Sequence, residues 1–95
     1  MGRVSNAHDG AQYVEKYVQL AEDGEAEAFY NLGLAYATGQ GGIDVDLVSA
    51  HKWFNLAAVH GNEQALFERA ALAREMTNAE IAEAQRQARE WTRSH

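Results

Sequence analysis

Apolar residues along this chain recur at helical spacing. Ala28, Leu32, Ala35 and Tyr36 stand at i, i+4, i+7, i+8 and make one apolar stripe. Leu47, Ala50, Phe54, Ala57 and Ala58, at i, i+3, i+7, i+10, i+11, make a second. Ahead of them Val14, Tyr17, Val18 and Ala21 predict an amphipathic helix that ends at Gly24, placed as a C′ glycine. Behind them Ala65, Leu66, Ala70 and Ala73 are expected to face inward on a fourth helix. Ile81, Ala84, Ala88 and Trp91 do so on a fifth. The predicted class is all-α, with helices over about 11–23, 25–38, 46–60, 62–75 and 78–93. Residues 1–10 are expected to form a flexible N-terminal segment and 11–95 a single domain.

The punctuation between stripes agrees with them. Gly39, Gly41 and Gly42 supply a turn where positive φ carries no steric cost. Asp46 stands where an N-cap carboxylate can accept from free backbone N–H groups. Thr77 with Glu80 three residues on is a capping box. Gly33, Ala50, Ala57 and Ala58 remove bulk from helix faces, and Tyr36, Trp53 and Phe54 supply it opposite. Small-against-large packing of short helices predicts a stacked helical repeat.

These residues form the series Ala28-x3-Leu32-Gly33-x2-Tyr36-x2-Gly39-x-Gly41-Gly42-Ile43-x2-Asp46-x3-Ala50-x2-Trp53-x3-Ala57-Ala58-x2-Gly61-x3-Ala65. The series resembles a Sel1-like repeat, a member of the tetratricopeptide-like superfamily, over about two-fifths of the chain. It departs from that pattern at Ile43, where valine is common, and by one extra glycine. The resemblance implies an α/α solenoid (superhelix) that works by binding other proteins. Ala21-x2-Gly24-x3-Ala28 repeats as Ala58-x2-Gly61-x3-Ala65, so helix 1 is expected to be the second half of a preceding repeat. That copy is degenerate, with Lys16 where Trp53 sits. Residues 62–75 begin a weaker following copy, and residues 78–93 read as a C-terminal capping helix. Their Ile81-x2-Ala84-Gln85-x2-Ala88-x-Glu90-Trp91 is similar to the tail after Sel1-like repeats in many bacterial proteins.

The resemblance also implies a site. In tetratricopeptide-like stacks the first helix of each unit lines the concave face, which places Glu27, Tyr30, Leu34, Ala37 and Thr38 there. The repeat period adds Gln64, Phe67, Ala71, Arg74 and Glu75. Tyr30, Leu34 and Phe67 are candidate anchors for a bound peptide, since aromatic residues dominate binding hot spots. The other reading makes Tyr30 and Phe67 core residues of a short stack.

Charge narrows the partners. The formal net charge is −6, and residues 1–66 carry three basic against nine acidic side chains, while residues 67–95 balance. An acidic front half argues against a phosphate backbone and permits a basic partner, so no nucleic acid is expected. With no cysteine, disulfides and thiolate metal sites are out. No stretch approaches the roughly 20 apolar residues of a membrane span, and the N-terminus lacks the apolar core of a signal peptide. Read as complete, the chain is expected in the cytoplasm, although many relatives of this repeat family are exported.

Candidate chemistry is sparse. His51 and His60 lie nine apart on one helix and point to opposite sides. No His-x3-His pair exists, so zinc is not expected. His60 sits where a helix C-terminus favours a cation. The glycine run lacks the G-x-G-x-x-G or Gly-Lys-Ser/Thr form of a phosphate loop. Asp44-x-Asp46 lacks the further ligands of a calcium loop, and Ser5, Ser49 and Ser94 have no matching base. No enzyme, metal or cofactor is expected. The predicted function is a binding module or adaptor. A self-associating homodimer is the alternative, and a cell-wall-related hydrolase, suspected among helical-repeat relatives, is the remoter one.

Overall fold

The computed structural model describes residues 6–95. Five α-helices follow one another: α1 (Asn6–Glu22), α2 (Ala26–Thr38), α3 (Leu47–Val59), α4 (Gln64–Ala73) and α5 (Asn78–Ser94), with a short 3-10 turn at Gln40–Gly42. No strand occurs among the described residues, and no helix there is long and apolar enough to cross a membrane. Residues 1–5 of the expected N-terminal segment lie outside the described residues. The helix α1 begins at Asn6 rather than near Ala11. Asn6–Gly10 carry no apolar stripe, so hydrophobic spacing gives no sign of these first turns.

The helix ends follow the sequence chemistry. Gly24 takes φ 82° past α1 and donates to the Ala21 carbonyl at 2.8 Å. Gly39 ends α2 at φ 77°. A Cβ there would lie 3.1 Å from the Ile43 carbonyl oxygen and 3.3 Å from Val45, so both backbone and space select glycine. The loop then returns, and the Asp46 N–H donates to the Tyr36 carbonyl at 2.9 Å. The Asp46 carboxylate accepts from the Ser49 N–H at 3.1 Å and from the Ser49 hydroxyl at 2.9 Å. At α5 both halves of the capping box are made. Thr77 N–H donates to Glu80 Oε1 at 2.8 Å, and Glu80 N–H to Thr77 Oγ1 at 3.1 Å.

Helix α3 is the hub. It packs against α2, α4 and α5, while α1 packs against α2 and the 3-10 turn. Six of its residues are buried: Ala50, His51, Trp53, Phe54, Leu56 and Ala57. On α2 the expected Ala28, Leu32 and Ala35 are buried, and Tyr36 is half-buried. Gly33 lies directly under the Phe54 ring.

The predicted core lacks two of its largest members. Phe29 and Leu56 are each 1% exposed. Phe29 stands among three other rings. Its centroid is 6.1 Å from Trp53, 6.0 Å edge-on from Trp91 and 4.5 Å stacked on His60. Trp91 meets Trp53 edge-to-face at 4.9 Å. So α5 lies on α3 with Ala84 and Ala88 buried, and Trp91 reaches past it to α2.

On α4 two expected inward positions are corrected. Leu66 is 45% exposed, and Ala70 is exposed. The rotation of α4 is set by Ala65, fully buried, with Glu68, Arg69 and Leu72 on the same side. Glu68 meets α2 and Arg69 meets α3. Leu66, about 100° further round the helix than Ala65, turns to water.

Candidate functional site

On α2, Glu27, Tyr30, Leu34 and Thr38 follow i, i+3, i+7, i+11 and share one stripe. Glu27 and Thr38 are exposed, whereas Tyr30 and Leu34 are half-buried against the core. The Thr38 hydroxyl donates to the Leu34 carbonyl at 2.8 Å. The Tyr30 ring lies 5.6 Å from Phe54, and its hydroxyl donates to Glu68 Oε2 on α4 at 3.2 Å. Burial pushes the Tyr30 phenol up, and the Glu68 charge and hydrogen bond add to it, so the hydroxyl stays a donor.

Gln64 and Phe67 on α4, and Arg74 at its C-cap, are exposed. Phe67 is 70% exposed, while Phe29 and Phe54 are each 1% exposed. The structure therefore places Tyr30 between the two readings made of it, partly packed yet open at one edge. It places Phe67 outside the core. The bond from Tyr30 to Glu68 joins the two helices that carry the predicted face. Leu34 and Thr38 lie further along α2, and Arg74 lies past the end of α4.

Open grooves lie elsewhere among the described residues. One, of about 300 Å³, runs between α3 and α5, with Leu56 and Ala88 as its floor and Asn55, Val59, Arg89 and Arg93 among its walls. A second, of about 490 Å³, lies where Val14 of α1 faces Tyr36 and Ile43. A third is bordered by Lys52, Glu90, Trp91 and His95. In that region Lys52 Nζ stands 4.3 Å from the Trp53 ring centroid, and His95 stacks on Trp91 at 3.7 Å. The groove between α3 and α5 was not anticipated. Its signal is a basic series on α5, Arg86, Arg89 and Arg93, at i, i+3, i+7.

Comparison with protein-family models, curated proteins and solved structures returned no match.

The histidines divide as their spacing implies: His51 is buried and His60 is exposed. The His60 ring Nδ1 lies 2.8 Å from the Leu56 carbonyl at the end of α3. His51 is 3% exposed, and its Nδ1 has no hydrogen-bond partner among the described residues. Burial lowers its pKa, and Arg69 on α4 lowers it further. Among the described residues no three His, Asp or Glu side chains are grouped so as to hold a metal ion.

His51 makes stability depend on pH. Its folded pKa lies below the unfolded value of roughly 6.5, so the fold favours the neutral ring. The stability it contributes is complete above that unfolded value and is lost as pH falls below it. The melting temperature is expected to fall between pH 7.5 and pH 5.5, and His51→Leu to flatten that fall. Equal pH slopes for the two proteins would show that His51 is not the group responsible.

Proposed function

We propose that this chain is a protein-interaction module, an adaptor of the Sel1-like, tetratricopeptide-like kind, which binds a peptide or protein on the face carried by α2 and α4. The observation that carries the reading is Phe67. A phenylalanine 70% exposed beside Glu68, which is bonded to Tyr30, is an apolar anchor left in water. Glu27, Leu34, Thr38, Gln64 and Arg74 would frame it.

The repeat reading draws support from three contacts: Gly33 under Phe54, the Asp46 cap, and the Asp46 N–H on the Tyr36 carbonyl. Each involves residues of the Sel1-like series. We take the helices as a short α/α solenoid, one full repeat (α2, α3) between half-repeats, with α5 as its cap. No catalytic role is proposed.

The test is a pull-down from native extract, with Tyr30→Ala/Phe67→Ala as the control bait. The partner is expected to be lost while helical circular dichroism stays unchanged. Phe67→Ala alone should weaken the complex roughly tenfold or more, about 1.4 kcal/mol per decade. A global loss of helicity would make these side chains structural and refute the binding role.

Self-association is the second reading, favoured by the open groove of Val14, Tyr36 and Ile43 at the α1 end. Another helix seated there would bury apolar surface. Sedimentation discriminates: a monomer at high protein concentration removes this reading.

A further inference from the structure

The groove between α3 and α5 differs from the α2–α4 face in its charge. Val59, at the end of α3, is 72% exposed, and Leu56 and Ala88 pave the floor beside it. Three guanidinium groups stand along this side of the last helix, and they are unequally satisfied. Arg86 is held by both oxygens of Glu83, at 2.9 and 2.7 Å. Its hydrogen bonds, with that of Gln87, hold the Glu83 carboxyl down to about 2. Arg93 makes one 2.7 Å bond to Glu90 and keeps its other donors. Arg89 has no carboxylate partner among the described residues. At the opposite wall the Asn55 side-chain carbonyl accepts from Arg69, which has no carboxylate partner there either. In a chain of net charge −6 this groove thus holds an excess of positive charge against an apolar floor.

We propose that this groove binds an acidic, amphipathic peptide segment, with an apolar side chain on Val59 and a carboxylate on Arg89 and Arg93. Arginine suits the task because its planar fork meets a carboxylate with two parallel hydrogen bonds. The volume of about 300 Å³ takes a side chain or two and leaves a peptide backbone in the open. A nucleic acid fits worse. The acidic remainder of the surface repels a polyanion, and no aromatic ring lines the groove to stack a base. A short acidic segment feels chiefly the nearest arginines, since charges beyond about 8–10 Å are screened. A second copy also fits worse: its acidic run Glu22–Glu27 has no large apolar side chain, and in Asp44-Val45-Asp46 the Asp46 carboxylate is engaged by Ser49 as the α3 cap.

The test uses the full chain, labelled with ¹⁵N and titrated with a short, terminally blocked peptide of Glu and Leu in amphipathic helical order. Amide signals of Asn55, Val59, Arg89 and Arg93 are expected to move together. The Lys-for-Glu counterpart should leave them still. Arg89→Glu, at an exposed position, is expected to weaken binding about tenfold, and Val59→Ser to weaken it independently. Four results would overturn the proposal: equal responses to both peptides, shifts confined to Tyr30, Phe67 and their neighbours, an Arg89→Glu variant that binds as well as the parent, or the same shifts on raising protein concentration without peptide.

Discussion

Replacing Phe29 by alanine is expected to cost about 3–5 kcal/mol of stability, the range for emptying a buried aromatic site. A chain of this length has a total stability of roughly 5–14 kcal/mol, so the loss takes about a fifth of it or more. The reason lies in what the ring touches. Phe29 is 1% exposed, and Trp53, Trp91 and His60 surround it from two other helices and the α3 terminus. Rings held by so many partners cannot relax into the void, and aromatic pairs add roughly 0.5–1.5 kcal/mol each beyond area burial. Thermal melting followed by circular dichroism should show a midpoint lower by more than about 12 °C. A loss below about 1 kcal/mol would mean that the ring is not enclosed.

The second large effect is expected at Gly33, and its sign runs against local propensity. Alanine in place of glycine inside a helix ordinarily gains about 1 kcal/mol. Here the added Cβ would lie 2.5 Å from two ring carbons of Phe54 and 2.9 Å from a third. Phe54 is itself 1% exposed, so its ring has nowhere to swing. Overpacking of this kind costs about 1–3 kcal/mol, occasionally more. Gly33→Ala is therefore expected to lower stability by about 1–2 kcal/mol. A double-mutant cycle with Phe54→Leu checks the cause. The pair should be less damaging than the sum of the singles by about 1 kcal/mol. Simple additivity would place the fault elsewhere than at this contact.

Much of the architecture was legible because it is written locally. Asp46 caps α3 through its own carboxylate, and Thr77 with Glu80 closes α5 within four residues. Ala28, Leu32 and Ala35 face inward as their spacing demands. The misses share one physical origin, contacts that arrive from another helix. A stripe drawn through Leu32 leaves Phe29 on its flank, yet Phe29 is buried because Trp91 arrives from α5, far along the chain. Leu66 failed in the opposite direction, since the contacts of Glu68 and Arg69 fix the rotation of α4. The burial of His51 beside Arg69 was invisible for the same reason: the neighbour belongs to another helix.

For the predicted face, the exposure of Phe67 could not be fixed from spacing. A phenylalanine in the right register reads equally as core or as contact. The basic series Arg86, Arg89 and Arg93 could be seen, but not that Glu83 and Glu90 engage two of its members and leave Arg89 without a carboxylate among the described residues. That distinction depends on rotamers.

The reach of Trp91 back to Phe29 has a consequence for how the molecule comes apart. Arrays of helical repeats, linked only to their neighbours, can fray from one end while the middle survives. Here the last helix clasps the second, across the third, through a cluster that also holds Trp53. Peeling α5 away uncovers this aromatic cluster, so partial opening is penalised and a concerted melt is expected. Both tryptophans sit inside that cluster, so their emission reports the loss of the clasp and of the fold as a single event.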